Sequence, residues 1–180
     1  MRMKTVKIIW SGGLLALLVA TLLTACGNST NSAAVANPKI TPPYLPHAQS
    51  KLATLKVWLG SEELTTELAL KPVEIATGMM FRTNMAENEA MLFVFNAPEP
   101  RNFYMLNCTV PLTAAYINPE GVIEEFARLN PGDTNGVQSR SWNIQFVLEL
   151  PQGWPERHNV RTGAVVRTER GSLQQTFFRR

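Results

Sequence analysis

Three polar side chains interrupt otherwise apolar stretches of this 180-residue chain: Arg82 after Gly78-Met79-Met80-Phe81, Asn107 after Phe103-Tyr104-Met105-Leu106, and Glu149 within Val147-Leu148-Glu149-Leu150. All three are candidate ligand-binding residues. A guanidinium presents a planar fork of donors that grips the carboxylate or phosphate of a ligand. It can equally pair with Glu149, or with backbone carbonyls, and so fix a helix against a sheet, because a charge in apolar surroundings must be matched. The sequence favours the Arg82–Glu149 pair, and for Asn107, shortly before Pro111, a role in organising a strand end.

Catalytic arrangements are harder to assemble. Cys108 and His158 are a thiol and an imidazole, the makings of an assisted nucleophile, yet nothing around either supports that role. A Ser-His-Asp arrangement would depend on the same His158 with Asp133, and no Gly-x-Ser-x-Gly elbow is present. Glu124 and Glu125 are neighbours in a predicted strand and so point to opposite faces. No catalytic residue is assigned.

A metal centre needs several converging His, Cys, Asp or Glu ligands. Residues 52–168 supply one His, one Cys and one Asp. Met79, Met80, Met85, Met91 and Met105 would suit Cu(I), but their places in strand signals and on the buried side of a helix make them core filler. No Gly-rich phosphate loop or dinucleotide fingerprint follows a predicted strand, so neither a metal nor a cofactor is expected.

Cys26 is different. The apolar run Leu14–Ala25 ends in Leu23-Thr24-Ala25-Cys26, which resembles a bacterial lipobox, and Arg2, Lys4 and Lys7 precede it with no acid. The pattern fits a signal peptide over residues 1–25, with Cys26 acylated as the first mature residue; an uncleaved membrane anchor is the alternative. A lipid anchor makes the membrane a partner. Gly27 stands where many inner-membrane lipoproteins carry Asp, so the expected location is the bacterial cell envelope, on the outer membrane facing the periplasm. The formal charge of +3 belongs to the signal, because the remainder balances 14 basic against 14 acidic side chains. Nucleic acid is therefore not an expected partner.

These residues need a scaffold. Residues 26–51, with four prolines among Ser, Asn and Ala, read as a flexible linker spanning roughly 25–30 Å. Residues 52–168 form one domain and 169–180 a C-terminal tail. Alternating segments at 55–59 and 63–70 predict two strands, followed by a helix over 72–79 that begins at Pro72. Met91–Phe95 is a strand, broken by Asn96–Pro100 before a neighbouring strand over 102–108. Asn118-Pro119-Glu120-Gly121 joins strands 112–117 and 122–129 in a type I hairpin turn. A strand over 143–150, a short helix within 152–159 and a strand over 164–168 complete a mostly β fold, an antiparallel sandwich or jelly-roll-like barrel with one or two short helices.

Several segments stand in an order and spacing similar to the bacterial domain of unknown function 192 family. They are Thr77-Gly78-Met79-Met80-Phe81-Arg82, Met91-Leu92-Phe93-Val94-Phe95, Phe103-Tyr104-Met105 with Asn107, Pro111-Leu112, and Val147-Leu148-Glu149-Leu150-Pro151 with Gly153. The resemblance covers residues 53–167 and implies a compact, jelly-roll-like β domain, often exported and without a settled activity. Leu106 and Thr113 stand where the family usually has Lys and Asp, Ala164 replaces the Asp of its closing Gly-Asp, and Ala90 replaces a Gly. Loss of the Lys and Asp charges points away from catalysis. The resulting expectation is a lipid-anchored envelope protein that binds or supports, with an envelope protein or glycan as partner; the alternative is a small envelope enzyme or accessory factor acting on glycan or peptide.

Overall fold

The computed structural model describes residues 43–179, so Cys26 and the signal segment lie outside it. β1 (Thr54–Leu59) and β2 (Glu62–Ala69) form an antiparallel hairpin. α1 (Pro72–Thr77) follows, with Pro72 in its first turn and the Glu74 carboxylate accepting the Leu70 and Lys71 N–H groups at 3.1 and 3.0 Å. This crossover lets β3 (Glu89–Glu99) lie parallel to β2, since parallel neighbours cannot be joined by a tight turn. β4 (Asn102–Phe103), β5 (Leu112–Ile117), β6 (Ile123–Leu129), β7 (Val137–Gln138) and β8 (Ile144–Pro151) follow, then α2 (Trp154–Arg157), β9 (Val166–Thr168), β10 (Gly171–Ser172) and α3 (Leu173–Phe177).

Eight strands form one mixed sheet in the order β10-β9-β1-β2-β3-β8-β5-β6, while β4 and β7 pair separately. The expectation of a mostly β domain holds; the arrangement is a single mixed sheet with three short helices, not a wholly antiparallel one, and not a closed barrel. Its two ends approach each other where Ile123 N–H donates to Ala164 O at 2.9 Å and Val166 N–H to Gly121 O at 2.8 Å.

The central strands are buried on both faces, which is why β5 and β8 read as near-continuous apolar runs. Ala90 and Leu92 of β3 face one core with Phe146, Leu148, Trp154 and Leu173. Met91 and Phe93 face a second core with Met79, Met80, Met105, Cys108 and Tyr116. α2 and α3 contribute to the first core and α1 to the second.

Local differences from the sequence expectation have physical causes. α1 stops at Thr77 because Gly78 takes φ +46°, leaving Met79 and Met80 buried in the turn beyond it. β3 extends into the expected break as far as Glu99, with an irregularity in its pairing between Val94 and Glu99. The strand expected over 102–108 is cut to two residues and pairs with β7 instead of β3. Met105–Cys108 turns instead: Cys108 N–H donates to Met105 O at 3.1 Å and Asn107 lies at φ +57°.

Both flanks of the domain are also corrected. Residues 43–51, read as linker, dock on α1: Gln49 is buried and donates to Gly78 O at 2.9 Å, and Leu45 N–H donates to Thr77 Oγ1 at 3.0 Å. Residues 169–179, read as a tail, form β10 and α3; Leu173 is fully buried and Phe177 and Phe178 pack on Phe146.

Candidate functional site

Strand register lines up one row of residues on the second-core face. Glu67 of β2 pairs with Met91 of β3, Met91 with Glu149 of β8, and Glu149 with Ala114 of β5. Directly paired residues share a face, so Glu67 and Glu149 stand two strands apart, roughly 10 Å between backbones, with Met91 between them. This row thus sets two carboxyl groups among the apolar side chains of the second core; Glu89 and Glu125, on the same face nearer its margins, pair with Lys51 and Arg140.

Arg82 reaches one of them. Its Nη1 and Nη2 donate to Glu67 Oε1 and Oε2 at 2.6 and 2.8 Å, a bidentate pair in which both side chains are almost covered. The expected partner was Glu149; the observed partner is Glu67, and the reason is geometric. After Gly78 the chain turns through Met79 and Met80 and through Phe81 at φ +62°, and Phe81 N–H is held by Asn107 O at 2.8 Å. Thr109 Oγ1 then donates to Arg82 O at 3.0 Å. These contacts hold Arg82 beside β2. Burial raises the Glu67 pKa, but the Arg82 hydrogen bonds, the Leu52 N–H at 2.7 Å and the Arg82 charge outweigh it, so Glu67 lies below the usual carboxylate range.

Among the described residues Glu149 is left without a counter-ion in contact. It is 4% exposed, and its Oε2, like Arg82 Nε, has no hydrogen-bond partner among the described residues. Burial pushes its carboxyl up to about 8 against the pull of the Arg82 charge. Glu149 lines a half-open cleft of about 250 Å³. One wall is Ile75–Met80 and the other is Phe93, Phe95 and Phe103, with Pro100, Arg101, Asn102, Tyr104 and Cys108 completing the lining. The rings pack edge-on, Phe103 to Phe93 at 4.9 Å and to Phe95 at 6.5 Å. Arg101 sits 3.7 Å over the Phe95 ring and is neutralised by Glu99.

Of the three sequence candidates, only Glu149 lines this cleft. Arg82 lies in a neighbouring depression of about 30 Å³ with Glu67, and Met79 lines both spaces. Asn107 is exposed, in the left-handed conformation that Asn tolerates, and it holds the Phe81 turn through its backbone carbonyl. Glu67 was missed because a charge within an alternating strand reads as a solvent-facing position. Phe93, Phe95 and Phe103 were missed as cleft walls because rings in strand signals read as core.

The remaining candidates are engaged elsewhere. Cys108 lines the cleft as a thiol, pushed up to about 12 chiefly by burial. His158 is stacked on Trp154, with Nδ1 3.1 Å from Glu62 Oε2 and Nε2 3.0 Å from Glu87 Oε1. Cys108 and Trp154 belong to opposite cores, so the thiol and imidazole are not brought together. Asp133 Oδ1 accepts the Asn135 N–H. Glu124 meets Asn118, whereas Glu125 accepts from Arg140 and Ser141. Met79, Met80, Met91 and Met105 are buried in the second core. Among the described residues no three His, Cys, Asp or Glu side chains are grouped as a metal site would need. At two of the four departures from the family pattern, Leu106 packs against the second core and Thr113 Oγ1 accepts the Gly153 N–H at 3.1 Å.

Fold and site together define a small β-rich domain with an apolar cleft closed at its floor by a carboxyl group. The chain belongs to the domain of unknown function 192 family, described as "Uncharacterized ACR", whose model matches residues 55–168. Two crystal structures are similar. One, from Sinorhizobium meliloti 1021 and described as a candidate transcription regulator, is 30% identical with a TM-score of 0.63, covering 67% of this chain and 98% of its own. The other, a protein of unknown function from Novosphingobium aromaticivorans DSM 12444, is 28% identical with a TM-score of 0.61, covering 67% and 89%. No curated protein matches the sequence.

The site generates two expectations. In a double-mutant cycle, Arg82→Ala and Glu67→Ala should each destabilise by about 3–5 kcal/mol, because each strands a covered charge, and the double variant should cost well under the sum. Chemical denaturation checks this; strong coupling of Arg82 to Glu149 and none to Glu67 would restore the pairing first expected. The second concerns pH. A folded pKa of about 8 above an ordinary unfolded value near 4.3 means that the unfolded chain releases this proton first as pH rises. Glu149 thus contributes its full stability below the unfolded value, and the contribution is lost as pH rises to 8, at about 1.4 kcal/mol per unit of separation. Denaturation midpoints should fall between pH 5 and 8 in the parent, and the Glu149→Gln variant should flatten that slope.

Proposed function

We propose that this protein is a lipid-anchored module of the bacterial cell envelope that binds a small ligand, or a side chain of an envelope partner, in the cleft above Glu149. The observation that carries this reading is the buried carboxyl with an unpartnered oxygen lining an open apolar cleft. An orphaned buried polar group costs about 1–3 kcal/mol, a cost that a ligand's donor can recover, and concave apolar spaces with few polar groups are the usual form of small-molecule sites. The anchor follows from the lipobox-like segment ending at Cys26, which would hold the domain near a membrane through acyl chains. Among the described residues no helix is long and apolar enough to cross a membrane.

The enzymatic alternative has less support. The cleft offers one carboxyl and one thiol, the thiol held well above neutral pH, and nothing beside them is arranged as a nucleophile with its base.

Both halves of the reading are testable. Protein extracted from membranes should have an intact mass that begins at acylated Cys26, and Cys26→Ser should retain residues 1–25; an unacylated, unprocessed parent chain contradicts the anchor. For the cleft, a panel of small amines, alcohols, carboxylates and sugars should contain at least one class that raises the melting temperature, since a ligand of the native state stabilises by mass action. Ala76→Trp, placed on the cleft wall at a part-exposed helix position, should abolish that shift. A panel inert toward the folded parent, or shifts unchanged in Ala76→Trp, would overturn the cleft as the site.

A further inference from the structure

Resting on the cleft as the binding site, we infer that its ligand carries a primary ammonium group on an apolar stem, which pairs with Glu149 at the cleft floor. The first ground is a count of charges on one face. By strand register Glu67, Glu89, Glu125 and Glu149 all stand there; Lys51 pairs with Glu89, Arg140 with Glu125, and Arg82 commits both terminal nitrogens to Glu67. Among the described residues Glu149 has no cation in contact with it, and its Oε2 is an acceptor with no donor. One further cation would complete the set.

The second ground is the lining. Phe93, Phe95, Phe103 and Tyr104 line the space that Glu149 also lines, and cations are attracted to aromatic rings. The Phe95 ring already demonstrates the interaction, with the Arg101 guanidinium 3.7 Å from its centre. A methylene stem suits the Met79 and Met80 surface, and a volume of about 250 Å³ is below the roughly 300–1,000 Å³ of sites for drug-sized ligands, so the fit is to a short stem. An anion would face the Glu149 oxygen; Arg82 does not line the cleft, and Arg101, which does, is paired with Glu99.

The proton balance is explicit. Near pH 7 Glu149 is neutral, buried and adjacent to an ion pair. Entry of R–NH₃⁺ ionises it: the carboxyl proton leaves to solvent, an N⁺–H to O⁻ contact forms, and no covalent bond to carbon changes. The groups that bear on this carboxyl are Arg82 with its partner Glu67, the Cys108 thiol and the Tyr116 hydroxyl, the Glu125–Arg140 and Glu89–Lys51 pairs on the same face, and Arg101 with Glu99 at the cleft wall. The thiol and the phenol both stay protonated through pH 9, since burial raises both, so Glu149 alone sets the pH dependence between 6 and 9.

The same ammonium could arrive as a free small amine or as a lysine side chain of a partner. Calorimetric titration of the folded domain with n-pentylamine, 1-pentanol and pentanoate compares the head groups, and Nα-acetyl-lysine N-methylamide represents the side chain. Pentylamine or the lysine derivative should bind, with affinity rising from pH 6 to 8. At pH 7 close to one proton should be released per ligand bound, read from the heats in buffers of different ionisation enthalpy. Glu149→Gln should weaken binding about 30-fold or more, the loss expected when one member of a buried charge pair is removed, and its cooperative unfolding shows that it still folds. The tighter of the two amines identifies the source, and either supports the inference. Binding of 1-pentanol or pentanoate in preference to the amines would overturn the ammonium while leaving the cleft as the site. Equal amine binding in Glu149→Gln, or no proton release, would likewise overturn it. Failure of every probe, in a chain that also ignores the wider ligand panel, would remove both readings.

Discussion

One guanidinium cannot serve two carboxylates that stand two strands apart. Arg82 presents a single fork of donors, and a bidentate contact uses both prongs on one partner. The sheet register sets Glu67 and Glu149 on the same face with Met91 between them, so satisfying the first leaves the second dependent on something else. The state of Glu149, the chemistry of the cleft and the pH response of the fold all depend on that choice.

Two left-handed residues enforce it. Phe81 and Asn107 both adopt positive φ, a costly conformation for a bulky side chain, and the hydrogen bond from Phe81 N–H to Asn107 O ties the two turns together. This joint sets Arg82 beside β2 and draws Met79, Met80 and Cys108 over the sheet as cleft lining. On the opposite side of the sheet, in the Trp154 region, Arg157 and His158 both pair with Glu87. The difference in charge pairing between the two faces thus grows out of which turns hold the chain.

Much of the fold was legible locally. The Asn118–Gly121 turn closes as its Pro and Gly positions require, with Gly121 N–H donating to Asn118 O at 3.0 Å, and the apolar runs of β5 and β8 became the buried centre. The resemblance was to the right family, and of the polar positions its motifs marked, Arg82, Asn107 and Glu149, only Glu149 lines the cleft. What could not be read was which side chain meets which. Glu67 lies 15 residues before Arg82, and the pairing of β2 with β3 in parallel, which puts Glu67 and Glu149 on one face, is not encoded in either segment. Residues 43–51 and 169–179 escaped because their order comes from docking, as with Gln49 on Gly78 and Leu173 in the first core, and their own sequences lack a sustained period.

The most direct probe of this account is a carbon-13 NMR titration of the Glu149 carboxyl in the folded, ligand-free domain. The account predicts a midpoint near 8, with Glu67 titrating below the ordinary carboxylate range in the same spectra. A Glu149 midpoint near the ordinary 4.3 would mean that it is already paired or solvated, and would contradict the claim that the cleft floor holds a carboxyl awaiting its partner.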